Sequence, residues 1–353
     1  MQTHEVKTRT STSRRFSLLL QIIGCLLCLM PCVADAGADA PPVKPGTAMM
    51  TYTPLMFGSK TLGQPLVKVR LNKTIEATFL VDTGTLTSII SETLAKKLGL
   101  HLEPAIADDG KPVNLFKYHT LMGRVSSLAI GDISGAELTG TDQLLIVADE
   151  KTLNLGPVTH YDGIIGANIL ERAVILLNPR DHTLIFGYPG NCSPDRLRYL
   201  GMTSPYVLPM SRDKINAVWY STIKFTNDSR TGEERLKIDT GSDRTIISAS
   251  LAKQLRLIPT DRNKVINYDG PTTLDVAKVA SAVFGDLILS NFPIEYQSDP
   301  HVVSTPILGL DALSGYLILI DFPGGKLYLQ PYPSTVPAIT IGPAPAPVTP
   351  PAK

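Results

Sequence analysis

Short apolar runs bounded by Gly, Pro, Asn and Asp recur from about residue 50 onward, the pattern of strands rather than long helices. Pro65–Leu71 and Glu76–Val81 are two such runs, and Val218–Phe225 with Glu234–Ile238 repeats them later in the chain. Ala173–Leu177 with Thr183–Phe186, and Tyr316–Ile320 with Lys326–Leu329, read as hairpins. Helical spacing shows at two matching places. Leu94 and Leu98 stand at i,i+4, as do Leu251 and Leu255, each pair following a serine (Ser91, Ser248) suited to cap a helix N-terminus. Gly99 and Pro259 are the expected stops. The pattern predicts a mainly β chain built from two similar halves, with one short helix in each.

The similarity is literal around one triplet. Asp-Thr-Gly occurs at Asp82-Thr83-Gly84 and again at Asp239-Thr240-Gly241, preceded by Phe79-Leu80-Val81 and by Leu236-Lys237-Ile238. A hydroxyl residue follows each glycine (Thr85, Ser242), and both copies run on through Ile-Ile-Ser. Aligning Phe79–Leu100 with Leu236–Leu257 gives 11 identities in 22 positions. By average residue usage a chain of this length holds on the order of a tenth of one such triplet. Two copies in a matching frame therefore mark an internal duplication that supplies one carboxylate per repeat.

Two carboxylates brought together form a specific instrument. Like charges about 3 Å apart cannot both ionise, so the pair shares a proton and its two apparent pKa values separate. The ionised member can take a proton from water and the protonated one can polarise a carbonyl. That is acyl hydrolysis by water, with no metal and no covalent intermediate. Thr83 and Thr240 can bind backbone across the junction, the small Gly84 and Gly241 permit close approach, and Thr85 and Ser242 can hydrogen-bond the outer carboxylate oxygens.

Each half also carries a second motif in the same order: Asp162-Gly163-Ile164-Ile165-Gly166-Ala167-Asn168-Ile169-Leu170, and Pro306-Ile307-Leu308-Gly309-Leu310-Asp311-Ala312-Leu313. With these the chain, over Thr51 to Pro333, resembles the aspartic proteases, in particular the short-repeat retropepsin-like branch found in secreted bacterial proteins. The resemblance implies two retropepsin-like β-barrel repeats forming an intrachain pseudo-dimer, monomeric with pseudo-twofold symmetry. It implies Asp82 and Asp239 as the catalytic pair and a peptide or protein as substrate, taken as an extended strand. Thr83, Gly84, Thr85, Thr240, Gly241 and Ser242 would support the site. The hydrophobic-hydrophobic-Gly segments would pack beneath the Asp loops. No cofactor or metal is called for. A flap over the cleft is expected within Asp109–Met122 and Asn267–Ala277, with Gly110 and Gly270 as tips and Tyr118 and Tyr268 as candidates to touch substrate. Ordinary surface turns account for these two segments equally well. The rival reading is a peptide-binding, chaperone-like pseudoprotease that keeps the fold without turnover.

Composition fits a globular enzyme: 353 residues, 43% hydrophobic and 18% charged, with a formal charge of +1. The first 36 residues hold two more positive than negative charges, leaving the remainder near neutrality, so no nucleic-acid partner is expected. Arg14-Arg15, an apolar run from Phe16 to Met30 and Val33-Ala34-Asp35-Ala36 read as a cleaved signal peptide over residues 1–36, predicting export to the periplasm. The run is short for a membrane span, which takes about 20 residues, so no stable span is expected. Ile22-Ile23-Gly24-Cys25 offers the alternative of a lipid anchor through Cys25.

Cys25, Cys28 and Cys32 fall in the leader, and the remaining Cys192 cannot form an internal disulfide. The first repeat is expected over 45–190, a Pro/Gly-punctuated linker over 191–208, the second repeat over 209–333 and a Pro/Ala-rich tail over 334–353. His101, His119, His160, His182 and His301 are scattered without metal-ligand spacing, and no Gly-x-Ser-x-Gly elbow occurs. Paired carboxylates also serve glycosidases, but 6% aromatic residues and one Trp make a poor sugar-stacking cleft.

Overall fold

The structure, a computed structural model, describes residues 48–332 apart from 58–59, 107–110, 113, 116–117, 132–137, 154–159, 188–191, 215–216, 268–269 and 299–304. The leader with Cys25 and the tail over 334–353 lie outside the described residues.

Each repeat forms an eight-stranded sheet with the same strand order. In the first the neighbours run Thr53–Phe57, Lys60–Leu71, Ile75–Val81, Gly163–Ile165, Ile89–Ser91, Leu138–Ala148, Leu121–Ile130 and Leu102–Pro104. In the second they run Ser211–Arg212, Trp219–Asn227, Arg230–Ile238, Ile307–Leu308, Ile246–Ile247, Leu287–Tyr296, Gly270–Phe284 and Asp261–Asn267. One extra pairing curls each sheet back on itself: Lys60–Leu71 with Leu121–Ile130, and Trp219–Asn227 with Gly270–Phe284. Closure leaves an inside that must be filled, and the alternating residues of the strands fill it with Val67, Val69 and Leu71 in one repeat and Ile223 and Phe225 in the other.

The second motif explains why its apolar residues do not alternate. Gly163–Ile165 runs parallel to the strand that ends at Val81 and antiparallel to Ile89–Ser91. Held between two neighbours and covered on both faces, it is buried throughout. Ile307–Leu308 takes the same place in the second repeat.

A six-stranded sheet joins the halves, in the order Ala48–Thr51, Thr183–Gly187, Val174–Asn178, Tyr316–Asp321, Lys326–Pro331 and Tyr206–Pro209. Its central pair crosses between repeats, with Ile175 opposite Ile320 and Leu177 opposite Ile318. The outer strands correspond: Ala48–Thr51 and Tyr206–Pro209 each lie antiparallel to the last strand of their repeat. Tyr206–Pro209 thus starts the second repeat's architecture from within the stretch punctuated by proline. Its Pro209 falls at the last residue of an edge strand, where a missing N–H costs no ladder bond. One apolar core runs through both repeats, and a smaller one gathers Val174, Leu176, Leu317, Leu319 and Met202.

Both expected helices form, as Glu92–Lys97 and Ala249–Gln254, with Ser91 and Ser248 Oγ accepting from the backbone N of Leu94 and Leu251 at 3.1 Å. Their stops differ. Gly99 takes φ +62° in the first repeat, while in the second Arg256 takes φ +50° and ends the helix before Pro259 is reached. Beyond the one helix expected per repeat, each adds a four-residue helix at the end of its second motif, Ala167–Leu170 and Leu310–Leu313, and the first repeat also has Glu150–Leu153. Pro194–Tyr199, capped by Ser193, is helical between the repeats. Cys192 beside it is a free, half-buried thiol, pushed up to about 12 by burial and the neighbouring Asp321, far from a nucleophile's range.

Candidate active site

The two Asp-Thr-Gly loops meet at the junction of the barrels. Each Asp follows the inward-facing end of a strand (Ile75–Val81, Arg230–Ile238), and its backbone N donates to the second motif, Asp82 to Ile165 O at 3.0 Å and Asp239 to Leu308 O at 3.1 Å. The second motif then folds over the loop. Ala167 N donates to Thr85 O at 2.7 Å, and Leu310 N to Ser242 O at 2.9 Å. A Cβ on Gly166 would sit 2.7 Å from Thr85 O, and one on Gly309 2.3 Å from Arg244 O, so only glycine allows this contact.

A polar lock secures each loop from below. Ser88 N and Oγ both donate to Asn168 Oδ1 at 2.8 Å, and Gly166 N donates to Ser88 Oγ at 2.9 Å. In the second repeat Thr245 N and Oγ1 donate to the Asp311 carboxylate at 3.0 and 2.6 Å, and Gly309 N to Thr245 Oγ1 at 3.2 Å. Burial raises the Asp311 pKa against the pull of the Thr245 bonds.

The threonines cross between repeats as expected. Thr83 Oγ1 donates to Ile238 O at 2.9 Å and accepts from Thr240 N at 3.1 Å, while Thr240 Oγ1 donates to Val81 O at 2.8 Å and accepts from Thr83 N at 3.2 Å. Both side chains are fully buried, so the four bonds form away from water. They hold the loops face to face. A Cβ on Gly84 would fall 2.2 Å from Asp239 Cγ, and one on Gly241 2.4 Å from Asp82 Cγ. Each carboxyl occupies the space that the other repeat's glycine leaves free.

The pair is not symmetric. Asp82 Oδ1 accepts from Gly84 N at 2.7 Å and Thr85 N at 3.1 Å, and its Oδ2 from Thr85 Oγ1 at 2.5 Å. Asp239 Oδ1 accepts from Gly241 N at 3.0 Å. Ser242 was expected to bind the outer oxygen of Asp239 and does not. Its Oγ donates to Arg244 O at 2.9 Å and accepts from Arg244 N at 3.2 Å, closing a turn of its own loop. In its place Lys237 Nζ lies 2.9 Å from Asp239 Oδ2. The same ammonium donates to Gly84 O at 3.1 Å, and Gln64 Nε2 donates to Gly241 O at 2.7 Å, so each glycine carbonyl is held by the opposite repeat. Gln64 is buried, and its Oε1 has no protein partner.

Burial, with the Asp239 carboxylate beside it, pushes the Asp82 carboxyl up to about 7 against the opposing pull of Lys237 and Thr85. For Lys237, burial works against the charge. The Asp239 and Asp82 carboxylates outweigh it and raise the ammonium's pKa.

Sequence reasoning missed Lys237, Gln64 and the Ser88–Asn168 and Thr245–Asp311 locks. Lys237 left a signal, a cation in a strand where the first repeat has Leu80. Gln64 left none. Of the flap candidates, Gly110 and Tyr268 lie outside the described residues. Tyr118 belongs to the two-residue strand Tyr118–His119 paired with Asn114–Leu115. Gly270 opposes Asn267 at the turn of a longer hairpin. Among the described residues no helix is long and apolar enough to cross a membrane.

The family model for aspartyl proteases matches the chain twice, over residues 67–169 and 223–312, each match holding one Asp-Thr-Gly loop and all but the last residue of its second motif. No curated protein sequence matches. Among solved structures, conglutin gamma, a basic 7S globulin from lupine seeds, is similar with a TM-score of 0.50 at 12% identity, covering 81% of this chain and 95% of its own. Basic 7S globulin from soybean is similar with a TM-score of 0.45 at 13% identity, covering 82% of this chain and 95% of its own. At such identity the lupine likeness concerns the fold alone.

Proposed function

We propose a function from one premise: the chain belongs to the aspartyl protease family. On that premise it is an aspartic endopeptidase that hydrolyses peptide bonds of extended polypeptides. The observation that carries this reading is the meeting of Asp82 and Asp239 against each other's glycines, where burial and the neighbouring carboxylate raise the Asp82 pKa to about 7. One carboxylate takes a proton from water as the water oxygen attacks the peptide carbonyl carbon. The protonated partner gives its proton to the carbonyl oxygen, forming a neutral diol. Return of a diol proton to the dyad and delivery of one to the nitrogen break the C–N bond and restore the pair. The Thr83–Thr240 crossing holds the carboxyls still while charge moves.

A second reading, a peptide-binding protein without turnover, draws on the Lys237–Asp239 ion pair, which occupies one oxygen of the pair. The two part in one experiment. Purified protein is incubated with a mixed peptide library, with and without a statine-type inhibitor. Internal cleavage that the inhibitor stops, that EDTA leaves alone and that Asp82→Asn or Asp239→Asn lowers by several orders of magnitude supports the endopeptidase. Peptide retention with no products from about pH 3 to 8 overturns it in favour of the binding protein.

The sequence supports two accompanying proposals. The chain acts as a monomer whose repeats pair internally, because a tethered partner has an effective concentration near millimolar. It is exported to the periplasm, with residues 1–36 removed. An intact mass showing residues 1–30 still attached refutes the cleavage, and a lipid adduct on Cys25 points to an anchored form.

A further inference from the structure

Lys237 stands two residues before Asp239 on the strand Arg230–Ile238, and side chains two apart on a strand share a face. Its ammonium therefore reaches the dyad from beneath, 2.9 Å from Asp239 Oδ2 and 3.1 Å from Gly84 O of the other repeat. Both partners are largely buried, with side chains 17% and 8% exposed. The first repeat has Leu80 at this position, itself buried, so no cation approaches Asp82 in the same way. Asp82 has the Thr85 hydroxyl instead.

We propose that Lys237 is the positioning residue that breaks the symmetry of the dyad, fixing the negative charge on Asp239 and the shared proton on Asp82. This rests on the endopeptidase reading and deepens it. Asp239 becomes the base that takes the proton of water, and Asp82 the acid that protonates the carbonyl. In a symmetric pair the two singly ionised arrangements have equal energy. A cation in contact with one carboxylate, in a site shielded from water, favours charge there.

Gly84 N, Thr85 N and the Thr85 hydroxyl donate to Asp82 and favour charge there, while Asp239 has the Gly241 N and the full positive charge of the ammonium. Its antiparallel neighbour is Tyr220, over whose ring the Arg235 guanidinium lies at 4.7 Å while pairing with Asp213. Its parallel neighbour is Ile307, and Gln64 faces the dyad loop with a neutral amide. A lysine that remains charged favours ionisation of both aspartates and draws the working range of the pair toward acid pH. Its removal moves the range the other way.

The test is made on the whole chain with Lys237→Met, which keeps the length of the stem without charge, and Lys237→Arg, which keeps the charge. Both limbs of the cleavage–pH profile are expected to move to higher pH in Lys237→Met, the acid limb by about two units. Lys237→Arg should bring that limb back to within about half a unit. A carbon-detected NMR titration of the two carboxyls gives a second readout that needs no cleavage. In the unmodified protein the shared proton is expected on Asp82, and finding it on Asp239 overturns the proposal whatever the variants do. Unmoved carboxyl titrations in a folded Lys237→Met do the same. A protein that cleaves nothing yet shows the expected titrations sinks the endopeptidase reading and leaves the role of Lys237 standing.

Discussion

Thr83→Val tests the crossing between the repeats. Valine has the shape of threonine, so packing is preserved while one hydroxyl is lost from a fully buried site. That hydroxyl serves two backbone groups of the other repeat, Ile238 O and Thr240 N, at 2.9 and 3.1 Å. Leaving a buried polar group without a partner costs about 1–3 kcal/mol, so two cost about 2–6 kcal/mol. Thr83→Ser keeps the hydroxyl and loses one methyl, about 1 kcal/mol. The isosteric change should therefore be the worse one by at least about 1–2 kcal/mol, the reverse of what packing alone predicts. Urea unfolding at one fixed pH measures this. Trp219, the single tryptophan, is a suitable probe because it packs on Phe322 and its Nε1 donates to Glu171 of the first repeat at 3.4 Å. Its emission thus reports separation of the halves. A Thr83→Val midpoint equal to that of Thr83→Ser would mean the crossing bonds contribute nothing beyond shape.

Three other outcomes follow from the asymmetry of the pair. Asp82 is raised in the fold to about 7, so its contribution to stability is full below its unfolded value near 4 and lost as pH rises through about 7. Asp82→Asn removes that loss, so the variant's urea midpoint should gain on the unmodified protein's across this window; a constant difference refutes the raised carboxyl. Thr85→Ala removes a hydroxyl that favours ionised Asp82 and should move the alkaline limb of activity upward by about one unit. Ser242→Ala should leave both limbs in place, since Ser242 serves Arg244, and an equal shift in the two variants contradicts the asymmetry.

Much of this protein is legible in its sequence because duplication wrote it twice. The paired Asp-Thr-Gly frames name the two carboxyls, the small residues beside them and the threonines that cross. Ser91 and Ser248 announce their helices because capping is a local matter of a hydroxyl and an N–H three residues on. Tertiary structure decided the rest. Repetition predicts that Thr85 and Ser242 act alike, yet Thr85 bonds back to Asp82 while Ser242 bonds forward to Arg244 and leaves Asp239 to Lys237. Gln64 reaches Gly241 across 177 residues of chain, and the strand Tyr206–Pro209 joins the central sheet from a stretch whose prolines read as a break. Such contacts depend on which surfaces the closed barrels turn toward each other, and short-range propensity carries no record of that. The lysine shows the difference most plainly. In sequence it is one more charge in the strand Arg230–Ile238, and only the approach of two buried carboxyls supplies the field that keeps its charge in a buried place.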